Sequence, residues 1–234
     1  MADKPIIFSA PMVRALLDGR KTQTRRVLKP QPHEYAGHFW ITDRHSGECR
    51  IDDWTQGRAG CLPYFPGDRL WVREAWRAMD RQDEFSGSQI ATQCLDVGYK
   101  RPWSPIQYEV DGARDNWIAG PHGFGTKPGR YRHARFMPRW ASRLTLTVTE
   151  VRVQRLQEIS EADAVAEGLE AEPSHLGIST NYCFGATAYS RAKPAFCALW
   201  NSLHGPDAWD ANPWVVALTF DVHRGNIDQA TGDE

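Results

Sequence analysis

Gly19-Arg20-Lys21-Thr22-Gln23-Thr24-Arg25-Arg26 places an amine, two hydroxyls and three guanidinium groups within eight residues, directly after a short amphipathic segment. The residues before it predict its support. Ser9 is positioned to cap a helix start, Pro11 suits a first helical turn, and Gly19 sits where a chain leaves a helix in a left-handed conformation. Met12, Val13, Leu16 and Leu17 recur as one apolar stripe, so this helix is expected to lie on a core. Beyond it, an extended segment sets Thr22, Thr24 and Arg26 on one face and Lys21, Gln23 and Arg25 on the other. A twist or bulge would let Lys21 and Thr24 converge. Arg14, Arg20, Lys21, Arg25, Arg26 and Lys29 have Asp18 as their nearby opposite charge, a local positive field suited to an anion such as phosphate. The plainer reading is a hydrated cluster that complements the negative end of the helix dipole.

Working outward, residues 28–65 are rich in Pro, Gly, His and charge, and read as an irregular insertion. Pro66-Gly67-Asp68 is a turn signal, and Arg69 to Trp76 alternates as a half-buried strand does. A second irregular insertion is expected over 77–135, relieved by a strand at Ile106 to Val110. Leu144, Leu146, Val148, Val151 and Val153 predict a long strand whose alternation changes phase near Glu150, where a bulge would restore it. Ser160 and Asp163 form a capping-box pattern for a helix over 160–167, with Ile159 as its staple and Gly168 as its stop. Glu170 to Ala188 is polar and Gly-rich, and reads as a mobile loop. Phe196, Leu199, Trp200 and Leu203 mark another helix, with Pro194 in its first turn and Gly205 after its end; Trp214 to Val222 is a strong strand. Strands punctuated by short helices and Gly/Pro turns give an α+β barrel, a single domain over 1–225 followed by a flexible tail over 226–234.

Composition narrows the chemistry. The formal net charge is −1 and 41% of the residues are hydrophobic, so any affinity for nucleic acid has to come from a local patch on an ordinary core. No apolar run is long enough to span a bilayer and Met-Ala-Asp-Lys-Pro lacks a signal-peptide pattern, which leads to a cytoplasmic expectation. The five cysteines are irregularly spaced and read as free thiols. His33, His38, His45, Cys49 and Cys61 match no compact zinc spacing, and no glycine-rich phosphate loop or dinucleotide fingerprint appears; neither metal nor cofactor is expected. Of the ten tryptophans, Trp71, Trp76, Trp200 and Trp214 fall inside strand or helix patterns and are assigned to the core. Lys127, Arg130, Arg132, Arg135, Arg139 and Arg143 run without an acidic residue among them, interleaved with Tyr131, Phe136 and Trp140. That combination suits single-stranded nucleic acid. Its alternative is a loop anchored by the aromatics, with the arginines in water.

Taken in order, Gly19-Arg20-Lys21-Thr22-x-Thr24-x-Arg26, Pro66-Gly67-Asp68-Arg69-Leu70-x-Val72, the Ile159-Ser160-Glu161 helix ending at Glu167, and Pro213-Trp214-Val215 with its closing strand resemble the ASCH family. The resemblance covers about half of the chain and is nearest to the longer members carried by phages and prophages. It implies a PUA-like β-barrel of the kind associated with RNA. Small bacterial members of the family are amidohydrolases that convert N4-acetylcytidine to cytidine and acetate, and their active-site Lys, Thr and Glu align with Lys21, Thr24 and Glu167. The resemblance therefore implies a metal-independent amide hydrolase. In that scheme Thr24 attacks the acyl carbonyl, Lys21 takes its proton, Glu167 protonates the departing N4, and Arg26 with nearby backbone amides faces the oxyanion. Arg20, Arg26, Trp71 and Glu74 are the candidate substrate-binding residues, although Glu74 has the alternative of pairing structurally with Arg73 or Arg26. The expected partner is a modified cytidine nucleoside or an RNA or single strand that carries one. A non-catalytic reader of modified bases is the alternative function. A ribonuclease is a third, for which no His pair or metal-binding carboxylates are placed.

Overall fold

The structure is a computed structural model and describes residues 2–43, 47–50, 62–117, 127–174 and 180–229. The first strand is β1 (Asp3–Ile7), and α1 (Ala10–Leu17) follows with Val13, Ala15 and Leu16 buried. Ser9 occupies the N-cap position without a side-chain cap hydrogen bond. Gly19 takes φ +72°, the left-handed exit expected of it, and releases the chain into β2 (Gln23–Val27). Three short strands, β3 (His33–Tyr35), β4 (His38–Asp43) and β5 (Gly47–Arg50), then pair antiparallel into a small sheet. His45 and Cys61, two of the residues weighed as zinc ligands, lie outside the described residues, as does the remainder of that insertion over 51–61.

The alternating run after Asp68 splits into β6 (Arg69–Arg73) and β7 (Trp76–Ala78). Next come α2 (Gly87–Asp96), β8 (Ile106–Tyr108) and β9 (Arg114–Asp115), so the expected irregular insertion over 77–135 contains ordered elements. Ser86 caps α2 by accepting from the Gln89 N–H, and the Gln89 side chain accepts from the Ser86 N–H, a complete capping box. Trp76, Ile90, Ile106, Tyr108 and Met137 bury themselves in one cluster under this segment. That is enough apolar surface to order strands only two or three residues long. β10 (Leu144–Arg155) is a single strand of 12 residues. α3 (Glu161–Ala166) begins at the Ser160 cap and ends before Gly168, which has φ +94°.

The segment read as a mobile loop is instead a three-stranded sheet, β11 (Glu170–Pro173), β12 (Thr180–Phe184) and β13 (Thr187–Tyr189); residues 175–179 lie outside the description. α4 (Ala192–His204) buries Phe196, Leu199 and Trp200, and β14 (Trp214–Arg224) closes the chain's last long strand. The fold is mixed α+β, mostly sheet with four short helices among the described residues. One sheet has five strands in the order β1-β6-β10-β14-β2, and three others have three strands each. In the larger sheet β1 runs parallel to β6, while β10 with β6 and β14 with β2 are antiparallel.

The chain divides into two compact units, one made of Met1–Asp18, Asp68–Thr147 and Val222–Glu234, the other of Gly19–Gly67 and Val148–Asp221. Each is assembled from stretches distant in sequence. In the first unit the buried Glu74 carboxylate accepts both arms of the Arg143 guanidinium at 2.8 Å, Asp111 accepts from Arg143 at 2.8 and 3.1 Å, and Tyr108 lies 4.0 Å beneath the same cation. The start of the expected flexible tail is also fixed here. Ile227 is fully buried, Asn226 donates to the carbonyls of Arg139 and Ser142, and Asp228 pairs with Arg139. A hydrophobic residue three positions beyond the last strand, with an Asn that can hold two carbonyls, is why 226–229 is docked.

We expect Ile227→Ala to lower the unfolding free energy by about 2–4 kcal/mol in urea denaturation, as removal of a fully buried isoleucine does. A frayed tail would show no change.

Candidate active site

The second unit holds the glycine-led motif. Lys21 forms an isolated antiparallel bridge with Glu167, the residue that ends α3, and the Thr22 N–H donates to the Ala166 carbonyl. The backbone of the motif is thereby stitched to the end of the helix. The side chain repeats the connection: Lys21 Nζ donates to the Glu167 main-chain oxygen at 2.8 Å and to Glu167 Oε2 at 2.7 Å. Lys21 is 1% exposed and Glu167 4%. An ammonium this far from water costs several kcal/mol unless a counter-charge is at hand. Burial pulls the Lys21 pKa below that of an ordinary lysine; Glu167 opposes the shift, while Arg26 and then Arg25 reinforce it.

Residues alternate along β2 as the pleat requires. Gln23 and Arg25 both reach α3. Arg25 NH1 donates to Glu167 Oε1 at 3.2 Å and to Gln23 Oε1 at 2.6 Å, and its NH2 donates to Asp163 Oδ2 at 3.0 Å. Gln23 Nε2 in turn donates to Asp163 Oδ1 and to Thr219 Oγ1, both at 3.2 Å, and Arg152 donates to Asp163 Oδ1 at 2.9 Å. Asp163 therefore serves two purposes. Its N–H completes the Ser160 cap at 3.0 Å, while its carboxylate is held by Arg25 and Arg152 instead of closing the other half of a capping box.

Thr24 and Arg26 belong to the other face of the strand. Thr24 is buried at 4% exposure, and its hydroxyl makes no hydrogen bond among the described residues. Its Cα partner on β14 is Leu218. Burial lowers the Arg26 pKa, and Tyr64 and Glu167 oppose that shift. Arg20 donates to the Gly168 carbonyl at 2.7 Å and approaches Glu170 at 3.8 Å. The arrangement brings together a desolvated amine and the carboxylate that orients it, while no hydrogen bond joins Lys21 to the Thr24 hydroxyl among the described residues. Both Glu167 oxygens accept from cations, Oε2 from Lys21 and Oε1 from Arg25.

The other residues singled out from sequence lie in the first unit. Glu74 pairs with Arg143, rather than with the expected Arg73 or Arg26. Trp71 is buried, with the Arg73 guanidinium 4.5 Å from its ring. Neither contributes to the cluster around Lys21. The basic segment divides in the same way. Arg132, 6% exposed, donates to the carbonyls of Phe85 and Gln82 at 2.7 Å, Arg139 pairs with Asp3 and Asp228 at 2.6 Å, and Trp140 Nε1 donates to the Gly87 carbonyl at 3.1 Å. These three hold the fold, since their donors are taken up by carbonyls and carboxylates of the chain itself. Lys127, Arg130 and Arg135 are exposed.

Arg25, Gln23 and Asp163 were not singled out as site residues by the sequence. The parity of 21, 23 and 25 was the available signal, since it places all three side chains toward one neighbour.

Burial alone would raise the Asp163 pKa, but hydrogen bonds from Arg152 and Gln23 and the charges of Arg152 and Arg25 outweigh it and hold the carboxyl below its usual range. The stability it contributes is present at neutral pH and disappears as pH falls through that depressed value. Asp163→Asn is expected to cost about 2–4 kcal/mol at pH 7. The gap from the parent protein should close in acid, as followed by urea midpoints across pH.

Comparison of the chain with family models, curated proteins and solved structures returns no match, so a function has to be read from the chemistry of these residues.

Proposed function

We propose that the protein is a metal-independent amide hydrolase that removes the acyl group from N4-acetylcytidine or a related N4-acylated cytosine, working from an ASCH-like site on a PUA-like barrel. The observation that carries this reading is the Lys21–Glu167 pair: an ammonium 1% exposed, its pKa lowered by burial, clamped at 2.7 Å by a carboxylate and set three residues from Thr24, a buried residue whose hydroxyl makes no hydrogen bond among the described residues. Burial shifts Lys21 toward its neutral form, the form that accepts a proton.

In the reaction proposed, neutral Lys21 takes the Thr24 hydroxyl proton as Oγ attacks the acyl carbonyl, and Arg26 faces the developing oxyanion. Collapse of the tetrahedral intermediate breaks the C–N4 bond, and the ammonium of Lys21 returns the proton to N4, releasing cytidine. Water, deprotonated by Lys21, then attacks the acyl-threonine; collapse breaks the C–Oγ bond, the Lys21 ammonium returns its proton to Thr24 Oγ, and the acetic acid released ionises to acetate in water. Glu167 differs here from its expected role. As an acceptor for both Lys21 and Arg25 it is a positioning residue that orients the base. No step requires it to give up a proton.

Acetate release from N4-acetylcytidine by the full chain is the direct test. Lys21→Ala and Thr24→Ala should each lower kcat by about 10³-fold, within the range of a lost base or nucleophile. The rate should rise with pH through the lowered Lys21 pKa to a plateau, since the neutral amine is the active form. Glu167→Gln removes the charge that raises the Lys21 pKa, so the rising limb should move to lower pH while kcat falls. Tight binding of the acetylated nucleoside without acetate release would make the site a reader, and turnover indifferent to Lys21→Ala would refute the assignment.

A further inference from the structure

The first unit contains a cleft of about 710 Å³ between the segment around Arg130–Pro138 and the start of α2. Its chemistry is one-sided. Arg73, Arg130, Arg132 and Arg135 line it together with His133, and no carboxylate is among the lining residues. Other arginines of the same unit show what this fold does when a guanidinium serves structure alone. Arg77 pairs with Glu109, Arg139 with Asp3 and Asp228, and Arg143 with Glu74 and Asp111. The four in the cleft have no such partner among the described residues.

The individual environments sharpen the contrast. Arg73 donates to the Arg135 carbonyl at 3.2 Å, but its Nε is buried without a hydrogen-bond acceptor. Burial lowers its pKa and no anion counters the shift. Arg132 lies beneath, its two terminal nitrogens on neutral carbonyls and its buried Nε without an acceptor, and its pKa is lowered by burial and then by the charge of Arg130, with Asp83 opposing. Asp83 itself uses an oxygen on the Arg130 backbone N–H at 2.7 Å. The result is a fixed positive floor whose counter-ion has to come from outside. Two large rings stand in water at its rim, Tyr131 at 54% and Phe136 at 61% exposure, and the Arg135 guanidinium lies 4.7 Å from the Phe136 ring. A plain anion site has no use for exposed rings, whereas a single strand presents phosphates and unpaired bases side by side.

We propose that this cleft binds single-stranded nucleic acid, with Arg73, Arg130 and Arg135 taking successive phosphates and Phe136 and Tyr131 stacking against bases. It rests on residues of the first unit alone, so it stands or falls separately from the chemistry assigned to Lys21.

Fluorescence anisotropy of a labelled 12-nucleotide strand with the full chain tests it. Affinity should fall with salt at a log–log slope of about −2, the value for three phosphates on a single strand. Arg130→Gln combined with Arg135→Gln should weaken binding at least tenfold, and Phe136→Ala should weaken it by about five- to a hundredfold, the range for loss of one stacked base. Arg101→Gln, an exposed arginine outside the cleft, should leave it unchanged, and a duplex of the same length should bind more weakly. Equal loss in Arg101→Gln would overturn the proposal as general charge attraction. Displacement by millimolar inorganic phosphate with no effect of Phe136→Ala would overturn it in favour of a small-anion site, and equal affinity for polyglutamate would overturn it in favour of an acidic protein partner.

Discussion

Two carboxylates of α3, Asp163 in its first turn and Glu167 just past its last, hold Lys21 and the β2 residue Arg25 out of contact with water, and the second unit is organised around that constraint. Lys21 and Arg25 share Glu167, and Arg25 and Arg152 share Asp163. Desolvating each of these ions costs several kcal/mol, so none is tolerable singly; the arrangement persists because every carboxylate oxygen has a donor. A buried pair of this kind adds little to net stability compared with apolar residues of the same volume. What it does fix is register, since shifting β2 by one residue would turn Lys21, Gln23 and Arg25 away from the helix and strand the carboxylates. The same exactness of placement is what a reacting group needs. An amine held by both a carbonyl and a carboxylate has lost its rotamer freedom.

Arginine is put to two uses in the first unit. Arg143 is the structural extreme: it holds Glu74 through both arms, reaches Asp111 and covers the ring of Tyr108, joining the start of β10 to residues 69 and 32 positions away. Arg139 performs the same service for Asp3 and Asp228, which fastens the last described turn to the first strand. Arg73, Arg130 and Arg135 are treated differently. They stay without carboxylates although the unit contains several, and a guanidinium kept unneutralised in a folded protein is a standing attraction for anions.

Long elements were legible in the sequence because periodicity needs length. The apolar spacing of α1 and α4, the Ser160 cap with Gly168, and the hydrophobic runs of β10 and β14 each span enough residues to show a period. Strands of three residues, such as β7, β8 and β13, cannot show alternation, and their order comes from a core built by residues far apart in the chain. Helix α2 did carry a local signal, Ser86 followed by Gln89, which its polar surroundings obscured. At the candidate site the association of Lys21 with Glu167 came through the family resemblance, while the parity of the strand hinted at Gln23 and Arg25. The part of Asp163 was hidden by its position, since a carboxylate three residues after a serine reads as a cap until Arg25, 138 positions earlier, is seen to claim it. Spacing likewise cannot say which arginine of a basic run folds back: only the chain's return at Asp228 separates Arg139 from Arg135.

The strand order also sets a timetable for synthesis. β2 occupies an end of its sheet, and the strand beside it is β14, with Thr24 opposite Leu218. A ribosome adding roughly 5–20 residues per second therefore leaves β2 without its neighbour for about ten to forty seconds after it emerges. During that interval the cations of the motif remain hydrated and keep the nascent segment soluble. Their ion pairs have to wait for the carboxylates of α3, and the sheet neighbour of β2 for the last long strand, so the motif is the earliest part of its unit to be made and among the last to gain its partners.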